Sequence, residues 1–106
     1  MPVSEAKNNV RVAVVQAGAV PFDTEACVDK AVRLIGEASA LGAKVIVFPE
    51  AFIPGYPKGV NYGLVVGARD PAGREEFRVY LDAAIAVPGP QTQRIGDAAA
   101  AHGAYV

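Results

Sequence analysis

The chain has 106 residues, of which 52% are hydrophobic and 20% charged, with a formal net charge of −1. That length allows one domain, and the apolar excess excludes a disordered chain. The near-neutral charge gives no electrostatic reason for a nucleic acid partner, and no apolar run reaches the roughly 18–20 residues that span a bilayer.

Residues 1–9 are polar and lack the apolar centre of a secretory signal, so they read as a flexible tail and the protein as cytoplasmic. Val10–Ala17 is a β-branched, almost continuous apolar run, the pattern of a strand covered on both faces. A turn around Pro21 follows, and Asp23 and Thr24 are both good helix N-caps. From about Thr24 to Leu41 the spacing is helical, with Val28, Ala31, Val32, Ile35 and Ala38 on one face. Asp29, Arg33 and Glu37 fall at i, i+4 steps on another face and can pair in solvent. Gly42 suits a left-handed helix end. Lys44–Phe48 reads as a second buried strand, which makes residues 10–48 a βαβ unit with parallel strands.

Residues 49–72 are rich in Gly, Pro and aromatics, too long for a mere connector. Helical spacing resumes over 72–84, with Phe77, Tyr80, Leu81 and Ala84 on one face. Ala84–Val87 suggests a short extended piece ended by Pro88-Gly89-Pro90. Residues 91–102 form an Ala-rich helix capped by Gly103, and 104–106 begin a third strand. Three parallel strands with open edges make a poor stand-alone domain, so residues 10–106 are expected to be the N-terminal part of a larger α/β protein.

Chemistry is expected just beyond the second strand. Functional residues in open α/β sheets gather past the carboxyl ends of strands, and Glu50 stands there, behind Pro49, which stops the ladder. An apolar, aromatic setting would favour its protonated form and suit a general base near neutral pH. The plain alternative is a solvent-facing glutamate that opens a loop. The turn after the first strand has neither Gly-x-Gly-x-x-Gly nor a P-loop pattern, so a nucleotide cofactor is not expected. The single cysteine and single histidine, Cys27 and His102, cannot build a Cys/His zinc site, and no metal is expected. Cys27 reads as a small structural thiol, and His102 as a residue offsetting a helix dipole. Lys58 and Arg69 read as solvated charges near the loop. Tyr56 and Tyr62 either wall a substrate pocket or pin the loop to the core.

The run Phe48-Pro49-Glu50-Ala51-Phe52-Ile53-Pro54-Gly55-Tyr56-Pro57 resembles the nitrilase branch of the carbon–nitrogen hydrolase superfamily. Val10–Ala17, Tyr62-Gly63-Leu64, Gly73–Tyr80 and Val87-Pro88-Gly89-Pro90 extend the resemblance over about residues 10–106. It implies the N-terminal part of an α-β-β-α sandwich, without cofactor, that uses a Glu-Lys-Cys triad to turn a nitrile into a carboxylic acid and ammonia. Glu50 matches the triad glutamate, and Tyr56 is a candidate substrate contact. Neither Lys44 nor Lys58 matches the lysine motif, and Cys27 is in the wrong element and lacks a following Cys-Trp-Glu. The resemblance further implies a homo-oligomer, and a chain inactive by itself. Two alternatives remain open: an amidase, carbamoylase or cyanide-converting relative, or a truncated chain acting only by association.

Overall fold

The computed structural model describes residues 8–57 and 71–106. Tyr62, Lys58, Arg69 and most of the expected tail lie outside the described residues. In chain order the elements are β1 (Val12–Val14), α1 (Thr24–Ala40), β2 (Val45–Val47), α2 (Pro71–Ala83) and α3 (Pro90–His102).

β1 and β2 pair in parallel, with Val12 opposite Val45, Ala13 opposite Ile46 and Val14 opposite Val47. Tyr105 adds a parallel bridge on the other side of β2, receiving the Ile46 N–H and donating to Lys44, both at 2.8 Å. The third strand thus begins where the sequence places it. Both named strands are shorter than their apolar runs. β1 ends because the chain beyond Val15 turns away into a loop; the last rung is Val15 N–H to the Val47 carbonyl, 2.8 Å. Pro49 lies just past the end of β2 and has no N–H to extend the ladder. Ala84–Val87 joins no strand, a departure from the expected extended piece.

α1 starts where its cap predicts: the Asp23 carboxylate accepts the Ala26 N–H at 3.0 Å. It stops in a two-bond helix end, with the Gly42 N–H on Ser39 (2.9 Å) and the Ala43 N–H on Ala38 (3.1 Å). Its inward face buries Cys27, Val28, Ala31, Ile35 and Ala38, with Val32 only half-buried. α3 begins at Pro90, favoured at a first helical position because the missing N–H would have no partner there. Thr92 accepts the Gly89 N–H at 3.0 Å and steadies that end.

α1 and α3 cover the same face of the sheet. Ile35, Ala38, Ala43 and Ile46 form the core, with Ala13, Val15, Phe48, Ile95 and Ala98 packed against it. Burying an aliphatic side chain of this size contributes about 1.5–3 kcal/mol. Asp29 does not pair along its own helix; it binds Arg94 of α3 at 2.7 Å, leaving Arg33 and Glu37 to each other at 2.9 Å. Among the described residues nothing covers the other face of the sheet. Val12, Val14 and Val47 are exposed, Val14 by 71% and Tyr105 by 80%. The expectation of strands covered on both faces therefore fails within these residues. The apolar pattern is two-sided, but one side alone carries helices, which is half of an α-β-β-α sandwich.

Candidate active site

Glu50 is placed by two phenylalanines. Phe48, the residue after β2, packs on the core, and Phe52 is buried with its ring 5.2 Å from that of Phe48. Such a ring pair adds about 0.5–1.5 kcal/mol beyond the area it buries. Residues 49–51 thus form a short arch between two anchors, with Glu50 at its middle. Pro49 stops the strand, and Ala51 turns the chain back with a left-handed φ of 51°.

Facing this arch is the loop after β1. Ala17, Gly18, Ala19 and Pro21 make one wall of a cleft of about 250 Å³; Pro49, Glu50, Ala51, Phe52, Gly55 and Tyr56 make the other. The cleft lies beyond the carboxyl ends of both strands, where open α/β sheets collect their functional groups. Two side chains of α1 hold the β1 loop, and a third just before the helix fixes where the helix starts. Lys30 Nζ donates to the Gly18 carbonyl at 2.6 Å, Cys27 Sγ donates to the Val20 carbonyl at 3.0 Å, and Asp23 caps the helix. A neutral wall of small residues leaves room for a small uncharged substrate, with one carboxylate at its edge.

Glu50 and Tyr56 are brought together on one wall, and both are exposed. The apolar enclosure expected around Glu50 is not supplied by the described residues; it is a rim group beside a cleft, not a buried one. Cys27 is fully buried and bonded to Val20, as a structural thiol should be. His102 is in the last turn of α3, where the strands begin, at the opposite end of the sheet from the cleft. Its ring lies against Gly36, where an added Cβ would stand 3.6 Å from Nε2. Lys44 is likewise at the start of β2, about one strand length from Glu50. Among the described residues no group of three or more His, Cys, Asp or Glu gathers to hold a metal, and no helix is long and apolar enough to cross a membrane. The β1-loop wall and its Lys30 tether escape sequence reasoning, because a lysine donating to a backbone carbonyl leaves no motif. The one available signal was Gly18-Ala19, small residues just past a strand end.

The chain belongs to the carbon–nitrogen hydrolase family, whose profile matches residues 11–106. An aliphatic nitrilase of Sinorhizobium fredii (strain HH103) is 55% identical over 96 residues, which is 91% of this chain and 31% of that protein. A bifunctional nitrilase/nitrile hydratase, NIT4A of Lupinus angustifolius, is 50% identical over 97 residues, 92% of this chain and 28% of that protein. Nitrilase 1 of Arabidopsis thaliana is 47% identical over 97 residues, with the same coverage, 92% and 28%. The chain thus spans less than a third of these relatives' length.

Proposed function

We propose that this chain supplies the general base, Glu50, of a nitrilase that converts a nitrile to a carboxylic acid and ammonia. The carrying observation is the position of Glu50: at the edge of a small neutral cleft, past the ends of two parallel strands, in a chain of the carbon–nitrogen hydrolase family. A thiol attacks poorly until it is deprotonated, and a carboxylate held in reach supplies the acceptor. In the family's chemistry the resulting thiolate adds to the nitrile carbon, and the nitrogen takes up the proton to give a thioimidate. Water then adds, ammonia leaves, and a second water releases the acid; Glu50 takes the proton from each attacking water. A lysine stabilises the charge that develops on nitrogen.

Cys27 is not the nucleophile. Its sulfur is buried and committed to Val20, and it is the one cysteine in the chain. The 106-residue polypeptide by itself is therefore expected to release no ammonia from benzonitrile or phenylacetonitrile. Turnover by this polypeptide that survives Cys27→Ala would overturn that account. Tyr56, exposed on the Glu50 wall, is the substrate contact in this reading. The relatives named nitrilase favour nitriles over the amide and carbamoyl substrates of other branches. The bare sheet face, with Val12, Val14, Val47 and Tyr105, is where the second sheet of the sandwich is expected to pack. A cytoplasmic homo-oligomer completes the proposal. Measuring ammonia release by the complete protein that carries these residues, with and without Glu50→Gln, tests it.

A further inference from the structure

Among the described residues, the non-glycine residues with a left-handed backbone are Phe22, φ 62°, and Ala51, φ 51°. That conformation is costly for an L residue and persists only where the surroundings hold it. One stands on each of the two loops that face each other across the cleft, and both are tied into a single clasp. The Phe22 N–H donates across the loops to the Pro54 carbonyl at 3.1 Å, and the Ala51 carbonyl accepts the Gly55 N–H at 3.0 Å. Gly55 is buried in the seam. Its φ is +118°, and an added Cβ would stand 3.4 Å from both Ala19 Cβ and Pro21 Cα. A glycine is required there by conformation first and by space second.

We propose that this clasp is a positioning element for Glu50, and that Gly55 is the residue that permits it. No hydrogen bond from a described residue holds the Glu50 carboxylate, so its direction is inherited from the backbone beside it. That backbone is the strained Ala51, which the Gly55 bond locks directly, and the Phe22–Pro54 bond anchors the same turn one residue earlier to the β1 loop. The β1 loop is in turn held to α1 by Lys30 and Cys27. Glu50 is thus aimed by a chain of contacts that runs back to the helix layer. The inference rests on the reading of Glu50 as the base and adds how that base is held.

Two variants test it in the complete protein that carries these residues, with ammonia release from phenylacetonitrile as the assay. Gly55→Ala forces the clasp open and is expected to lower kcat at least about tenfold with KM within about twofold, since aim is lost but the cleft remains. Ala51→Gly keeps the fold under any outcome at Gly55, because relief of left-handed strain and the added freedom of the unfolded chain oppose each other. It is expected to leave Tm nearly unchanged while kcat falls about threefold or more. A purely structural role would lower Tm and leave the kcat of the folded fraction intact. If Glu50→Gln abolishes turnover while Gly55→Ala and Ala51→Gly both keep the wild-type kcat, the clasp is overturned and the base is not. Full turnover by Glu50→Gln would overturn the underlying reading instead.

Discussion

The two ends of the sheet solve the same backbone problem differently. Where the strands begin, the chain must turn left-handed after each covering helix, and glycine does it: Gly42 after α1, φ 91°, and Gly103 after α3, φ 62°. Where the strands end, Phe22 and Ala51 adopt the same region as side-chain-bearing residues. At the first end the cost of a left-handed turn is avoided by residue choice, and the turns simply return the chain to the sheet. At the second end the cost is retained and held down by one hydrogen bond between the loops, Phe22 to Pro54, and one within the second loop, Gly55 to Ala51. Strain of this kind collects where a side chain has to be aimed, and the cleft with Glu50 is at that end. The beginning of the sheet reads as the stabilising end and its finish as the functional one.

The sharpest way to break that division is at Glu50 itself. Glu50→Gln keeps size and hydrogen-bonding capacity but removes the proton acceptor; in the complete protein, kcat for nitrile hydrolysis is expected to fall at least about 10³-fold, with Tm unchanged because the side chain is exposed. A large Tm change would mean that the functional end also carries stability. The converse probe is Ile46, fully buried between the helices and the sheet. Ile46→Ala should cost about 2–5 kcal/mol in urea unfolding, by lost transfer energy and a residual cavity, while the folded fraction keeps its kcat.

A smaller effect comes from exchanging the backbone solutions. Gly103→Ala adds a Cβ that meets nothing within 4 Å, so its cost is conformational alone. It should destabilise by about 1–2 kcal/mol and leave turnover untouched. Paired with Ala51→Gly, which should do the reverse, it makes a crossed experiment: one variant moves Tm alone, the other kcat alone. Both variants moving the same quantity would erase the distinction between the two ends.

Much of the helix layer was legible in the sequence, and for identifiable reasons. The Asp23 cap, the 3–4 spacing from Val28 to Ala38, Gly42 and Gly103 are local signals with local physics, and each appears where it was expected. Glu50 was legible as a position, because Pro49 marks the strand end and the surrounding motif is specific. Its surroundings were not. Whether a rim carboxylate is enclosed depends on what packs over it, which no local pattern encodes, and the expected apolar cover is not provided by the described residues. Cross-element contacts were equally hidden. Asp29 had an i+4 partner in its own helix but binds Arg94, 65 residues away. The clasp needs Phe22 and Pro54 to meet, and neither residue announces the other.

The smallest effect is expected on the exposed surface of α2. Arg78 contacts Glu75 at 2.5 Å and Asp82 at 2.6 Å, all three exposed. The hydrogen bond from Arg78, helped by its charge, holds the Glu75 carboxyl below the ordinary carboxylate range. A carboxyl whose folded value is depressed adds stability at pH values above its unfolded value. That stability is lost as the pH falls through the folded value, because both states are then protonated. Exposed pairs are screened by water and salt, so the contribution is slight. Arg78→Met should therefore lower Tm only slightly at pH 7, and the difference should vanish on acidification below the carboxylate range and shrink in 1 M salt. A difference that persists unchanged in acid would show that Arg78 acts by packing its stem rather than by charge. Since Phe22 meets α2 through Tyr80, ring centroids 6.0 Å apart, kcat is the second readout. An unchanged kcat in Arg78→Met would confine the aiming of Glu50 to the two loops; a lowered one would extend the clasp to α2.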